Sequence, residues 1–235
     1  MPDEPIYVVA AFQRNFSNAT MKIISKTSGL SPIVSPKRAE KFAALNDDEY
    51  EYNGELFELE VCSKCKGNIA HWSRVRQRLP KCDDPECLSH YAGNPEAARG
   101  RLVKLHIGGK PWPFERVGAW PRARRHVPVR LIVLLRDFYD VESSWMKMWR
   151  GDEELDIDFR RYYQRVLGFY YNAPTTDKIL VAGKDLFGPS SLRNLAEWRR
   201  VKRAGWPINP WEAIELVERD RVHYDREQLV AAGGA

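Results

Sequence analysis

The sequence VRLIVLLRDFYDVESSWMKMW, residues 129–149, joins a strand-like run to a helix-like one. Residues 131–135 are continuously apolar, and this pattern predicts a parallel strand that is buried on both faces. Further on, Val141, Trp145 and Met148 recur at spacings of four and three, which predicts an amphipathic helix. In open α/β sheets, ligands bind where strands end and helices begin. We therefore expect an α/β protein with a functional site directly after this strand.

Other parts of the chain repeat the same two patterns. Apolar, strand-like runs occupy residues 6–12, 100–107 and 178–182. Helical patterns follow at residues 19–28, 159–171, 192–201 and 210–226. Strands that alternate with helices predict a parallel sheet flanked by helices.

Composition narrows the class of protein. The chain has 235 residues, of which 43% are hydrophobic and 29% charged, as in ordinary globular proteins. A net charge of +5 suits an anionic ligand or surface, but does not by itself indicate nucleic acid. The apolar run near the N-terminus is too short for a signal peptide, and no stretch reaches the roughly 20 apolar residues of a membrane span. We expect a cytoplasmic protein without a membrane partner.

Four cysteines form the strongest local motif. Cys62-x-x-Cys65 and Cys82-x-x-x-x-Cys87 are two thiol pairs separated by sixteen residues. In a reducing compartment such pairs favour a metal over disulfides, and four thiolates complete a tetrahedral Zn²⁺ site. The residues between the pairs are too polar to form a core, so the metal would hold this module together. We predict a structural zinc ribbon at residues 62–95, inserted into an α/β core formed by residues 1–61 and 96–235.

The segment after the first predicted strand has the layout of a phosphate loop. A strand, the polar residues 13–18 and a helix place free backbone N–H groups where an anion can bind. The glycines and lysine of the nucleotide-hydrolase loop G-x-x-x-x-G-K-[ST] are absent. The alternative is a buried strand followed by an ordinary helix cap at Asn15 or Ser17.

Three segments in chain order resemble the sulfotransferase family. The loop is similar to that family's P-[KR]-S-G-T-[TS], and its matching positions, in order, are Arg14, Asn15, Phe16 (in place of the glycine), Ser17 and Asn18. Lys104 and His106 match a K-x-H pair at a strand end. The order Arg136, Asp140, Val141, Ser144 matches R-x-x-x-D-V-x-x-S. The short first strand and loop also resemble those of the compact, phage-type members.

The resemblance implies a P-loop NTPase-like fold and a reaction. The donor would be 3'-phosphoadenosine 5'-phosphosulfate, and the acceptor an unknown hydroxyl or amine. His106 would be the general base, and Lys104 with Arg14 would support the transferring sulfuryl group. The loop residues 14–18 would bind the 5'-phosphosulfate, and Arg136 with Ser144 the 3'-phosphate. The guanidinium fork and a serine hydroxyl are suited to a phosphate on chemical grounds as well.

Two alternatives stay open. Arg136 and Asp140 have the spacing of an ordinary ion pair on a helix surface. The chain as a whole could also be a scaffold without transfer activity, because Phe16 stands at the glycine position. Its zinc module, which carries Arg74, Arg76 and Arg78, would then bind nucleic acid or a protein. We regard nucleic acid as a possible but less favoured partner.

Overall fold

The computed structural model describes residues 4–12, 14–33, 95–107, 128–148, 155, 157–173 and 175–219. The strands in these ranges are β1 (Ile6–Ala11), β2 (Leu102–His106), β3 (Val129–Leu135) and β4 (Lys178–Ala182). The helices are α1 (Ser17–Ser28), α2 (Phe138–Met148), α3 (Phe159–Asn172), α4 (Gly183–Phe187) and α5 (Ser191–Arg203). Residues 210–219 are also helical, and Pro95–Ala98 form a 3-10 turn.

The four strands form one parallel sheet in the order β2-β1-β3-β4. Ala11, at the end of β1, pairs with His106 on one side and with Leu134 on the other. Residues 131–134 of β3 are all fully buried, because both faces of the sheet are covered by helices. The predicted α/β class and the buried parallel strand are therefore confirmed.

Each face of the sheet has its own core. Alternate residues of β1 point to opposite faces, as the two-residue period of a strand requires. Val8 lies in the core that α2 and α3 cover, where it meets side chains such as Val141 and Val166. Val9 lies in the core covered by α1, α5 and residues 210–219, which includes the fully buried Trp198.

Local signals in the sequence account for several helix ends. Gly29 ends α1 with a left-handed φ of 72°, and its N–H donates to the carbonyl of Ser25, since glycine adopts this conformation without steric cost. Asp158 caps α3 by accepting a hydrogen bond from the N–H of Arg161 at 2.8 Å.

The order of the strands creates a topological switch point between β1 and β3, and we call the region beyond the carboxyl ends of these two strands the crevice. β2, which follows β1 in the chain, lies on one side of the β1–β3 pair, whereas β4, which follows β3, lies on the other side. The helices that follow the two strands accordingly cover opposite faces, α1 one face and α2 the other. Ligands of open α/β sheets bind at such a reversal, beyond the carboxyl ends of the strands. The predicted site residues after β1 and β3 flank this crevice.

Residues 62–94 of the predicted zinc ribbon, together with its predicted N-terminal boundary, fall outside the described residues. Within the described ranges, no group of three His, Cys, Asp or Glu side chains is arranged to hold a metal ion. None of the described helices is long and apolar enough to cross a membrane.

Candidate functional site

The loop between β1 and α1 has an unusual backbone. Arg14 and Phe16 adopt left-handed conformations, with φ of 63° and 60°. This region is costly for residues with a side chain beyond Cα, so the surroundings must hold the loop in place. Phe16 is also the N-cap residue of α1, and its side chain makes no capping hydrogen bond. The alternative of an ordinary cap at Asn15 or Ser17 is therefore wrong.

The Asn15 side chain turns into the protein. It is fully buried, and its Nδ2 donates to the Tyr162 hydroxyl at 2.8 Å and to the carbonyl of Leu134 at 3.3 Å. Its Oδ1 has no hydrogen-bond partner in the described part of the chain. Asn15 therefore anchors the loop to β3 instead of presenting its side chain to the predicted donor.

The two arginines predicted for the donor site meet at the crevice. Arg14 Nε donates to Ser144 Oγ, in α2, at 3.1 Å. Arg136 Nη1 donates to the carbonyl of Arg14 at 2.8 Å. These two contacts bring together Arg14, Arg136 and Ser144 from segments more than 120 residues apart in sequence.

Arg136 does not form the surface ion pair that was the alternative. It lies before α2, and among the described residues its guanidinium donates to the Arg14 carbonyl instead of pairing with Asp140. Burial lowers the pKa of its guanidinium; the charge of Asp140 raises that pKa and the charge of Arg14 lowers it. Two cations held this close, with one partly compensating acid, favour an anion between or beside them.

The Phe16 ring packs between a cation and a second ring. The Arg136 guanidinium lies 4.4 Å from its centroid, and Phe187 of α4 stacks on it at 5.2 Å. Gly183, the first residue of α4, leaves room for the ring, since a Cβ there would lie 2.6 Å from Phe16 Cδ2. Phe16 thus fixes the orientation of Arg136 as well as that of the loop.

We expect Gly183→Ala to lower the free energy of unfolding by about 1–3 kcal/mol, because the added methyl group overpacks the Phe16 ring. Urea unfolding measures the change. In a Phe16→Ala background the same substitution should cost less, since the obstructing ring is gone. An equal cost in both backgrounds would exclude this contact as the cause.

Lys104 and His106 flank the loop on the β2 side. Lys104 is buried, and its Nζ donates to Asn18 Oδ1, in the first turn of α1, at 2.7 Å. His106 ends β2, is 8% exposed, and its ring lies 5.9 Å from that of Phe12. The predicted K-x-H pair therefore ends a strand next to β1, and its lysine contacts the predicted loop.

Sequence reasoning missed Tyr162. It lies in the helical pattern of residues 159–171, and its ring is fully buried. Its hydroxyl, however, accepts from Asn15 and from the N–H of Arg136 at 3.2 Å, and donates to the carbonyl of Arg136 at 2.8 Å. Burial is the main cause that raises the Tyr162 pKa to about 12. A tyrosine on the buried face of a helix gives no sequence signal for such a contact.

The raised pKa predicts a loss of stability in alkali. The folded-state pKa of Tyr162 lies above the usual value near 10. Its contribution to the free energy of unfolding is therefore complete below about pH 10 and disappears as the pH rises toward about 12. The difference corresponds to roughly 2–3 kcal/mol. Urea unfolding at pH 8 and pH 11.5 should show a smaller loss for Tyr162→Phe than for the wild type. The same loss in both proteins would contradict the assignment.

The described contacts connect most of the predicted site residues. Arg14, Phe16, Arg136 and Ser144 form one group, to which Asn15 is joined through Tyr162, and Asn18 with Lys104 form a second. Ser17 begins α1 between these groups. Cys62, Cys65, Cys82 and Cys87 lie outside the described residues. Comparisons of the chain with protein-family models, with curated proteins and with solved structures found no match.

Proposed function

We propose that this protein is a sulfotransferase-like enzyme that transfers a sulfuryl group from 3'-phosphoadenosine 5'-phosphosulfate to an acceptor hydroxyl or amine. The contact that carries the proposal is the hydrogen bond of Arg14 to Ser144, together with that of Arg136 to the Arg14 carbonyl. These bonds join two segments that were matched to the family independently. Both segments follow neighbouring parallel strands and so lie at the same edge of the sheet, and the hydrogen bonds there join residues that the resemblance assigns to the donor.

The backbone of the loop supports the same proposal. Phe16 stands at the family's glycine position and has the left-handed φ that glycine supplies there. The loop follows a central parallel strand and leads into α1, so we assign it as a P-loop-like element. The N–H groups at the start of α1 would receive the 5'-phosphate of the donor, since helix N-termini attract anions.

The proposed reaction is a direct displacement at sulfur. An acceptor oxygen or nitrogen forms a bond to sulfur while the bond from sulfur to the bridging oxygen breaks, and adenosine 3',5'-bisphosphate leaves with the electron pair. His106 takes the acceptor's proton, for which a neutral imidazole is suited. Lys104 and Arg14 neutralise the charge that builds on the bridging and sulfuryl oxygens. Arg136 and Ser144 hold the 3'-phosphate.

The 3'-phosphate provides a direct test. Adenosine 3',5'-bisphosphate at a hundred times its Kd should stabilise the protein by about 2.7 kcal/mol, seen as a rise in Tm. Adenosine 5'-monophosphate, which lacks only the 3'-phosphate, should give a much smaller rise at the same concentration. Equal shifts with the two ligands, or none with either, would contradict the assignment of Arg136 and Ser144.

A second candidate is a scaffold without transfer activity. The observation in its favour is that the cations already have partners within the chain: Arg136 stacks on Phe16, and Arg14 donates to Ser144. Such a protein would bind a nucleic acid or protein through its zinc module and basic surface. It would show no shift with the bisphosphate, and its affinity for a polyanion would fall steeply with added salt.

We also propose one structural zinc ion held by Cys62, Cys65, Cys82 and Cys87. Four thiolates leave no open position on the metal, so it would take no part in the transfer. Metal analysis should find one zinc per chain, and Cys62→Ser with Cys87→Ser should abolish it.

A further inference from the structure

We infer that Tyr162 is the positioning residue of the loop between β1 and α1, which it holds through Asn15 and Arg136. Its role toward the sulfuryl donor rests on the proposed function. Its role toward the loop does not.

All hydrogen-bonding positions of the Tyr162 hydroxyl are occupied. A phenolic hydroxyl has one donor and two acceptor positions. It donates to the carbonyl of Arg136 at 2.8 Å and accepts from Asn15 Nδ2 at 2.8 Å and from the N–H of Arg136 at 3.2 Å. One atom in the first turn of α3 therefore joins the loop after β1 to the residue that follows β3.

The loop needs such support because it contains no glycine. Two residues with side chains, Arg14 and Phe16, hold left-handed conformations on either side of Asn15. Conformations of this kind persist only where the surroundings determine them. Arg136 contacts both residues, through the Arg14 carbonyl and the Phe16 ring, and Tyr162 fixes Arg136 and Asn15 together.

The alternative is that Tyr162 matters only as a core ring. The ring contacts Phe12 at 5.3 Å and Phe138 at 5.8 Å. Tyr162→Phe keeps these contacts and removes only the hydroxyl, so it separates the two roles. Tyr170→Phe removes a hydroxyl from the same helix without touching the loop, and is the matched control.

The hydrogen bond from the N–H of Thr20 to the carbonyl of Phe16, at 2.9 Å, reports on the loop. We expect Tyr162→Phe to speed hydrogen exchange of the Thr20 amide about tenfold relative to the Ala213 amide, which bonds to Asn209 far from the loop. Asn15→Ala should have the same effect. Because both act through one contact, the double variant should be little worse than either single one.

Affinity for adenosine 3',5'-bisphosphate is measured on the same proteins. Tyr162→Phe should weaken it about tenfold, and Tyr170→Phe should leave it unchanged. If the wild type binds no bisphosphate but the exchange at Thr20 still responds, the proposed function fails and the positioning role stands. Unchanged exchange at Thr20 in Tyr162→Phe would overturn the inference whether or not the ligand binds. If the wild type binds the bisphosphate and Tyr162→Phe binds it with the same affinity, the role of Tyr162 toward the donor is overturned.

Discussion

Arg136→Ala is expected to lower the affinity for adenosine 3',5'-bisphosphate about a hundredfold, since the substitution removes a charge-assisted contact to the 3'-phosphate. The loss has a second source. The Arg136 side chain holds the Arg14 carbonyl and stacks on Phe16, so the loop that would bind the 5'-phosphate loses its support as well. Isothermal titration at a fixed salt concentration measures the change.

Arg130→Ala is the control for this prediction. Arg130 lies near the start of β3, whereas Arg136 follows the end of that strand, and the Arg130 guanidinium packs against Gly205. The substitution removes an equal charge from the protein, but none from the crevice. Similar losses of affinity in the two variants would mean that the overall charge attracts the ligand, and that Arg136 has no specific role.

His106→Ala is expected to lower the rate of sulfuryl transfer by about 10²–10⁴-fold, the range that a general base contributes. Binding of adenosine 3',5'-bisphosphate should stay within about twofold of the wild type, because His106 would touch the acceptor's proton and no part of the nucleotide. The measurement is transfer of labelled sulfuryl from the donor to a panel of phenols, alcohols and amines.

The control for this second prediction is Lys104→Met, at the other position of the K-x-H pair. Lys104 contacts Asn18 in the predicted donor loop, so its loss should reduce donor affinity as well as transfer. A His106→Ala protein that loses donor affinity and retains its transfer rate would contradict the role of base and make His106 part of the donor site.

Sequence patterns were sufficient for the strands and for the parallel α/β class, but not for the order of the strands. Continuous apolar runs mark strands that are covered on both faces, and the strand order places their carboxyl ends together. The resemblance of the three segments assigns Arg14, Arg136 and Ser144 to the donor, which stays a prediction. In the structure direct hydrogen bonds connect these three residues.

The details of the loop could not be predicted in this way. A glycine in the sequence is the usual signal for a left-handed backbone conformation. Arg14 and Phe16 adopt that conformation without being glycine, so the sequence does not reveal it. The inward turn of Asn15 depends on a hydroxyl that lies 147 residues further along the chain. Long-range contacts between single polar groups have no periodicity, so a sequence pattern does not reveal them.

Isothermal titration of the zinc-loaded wild type with adenosine 3',5'-bisphosphate tests the account most directly. We predict one site per chain with a Kd of about 1 µM, or about −8 kcal/mol, because two arginines and a helix N-terminus converge on the crevice. The absence of binding heat over a range of temperatures, with no rise in Tm, would contradict the donor site and favour the scaffold.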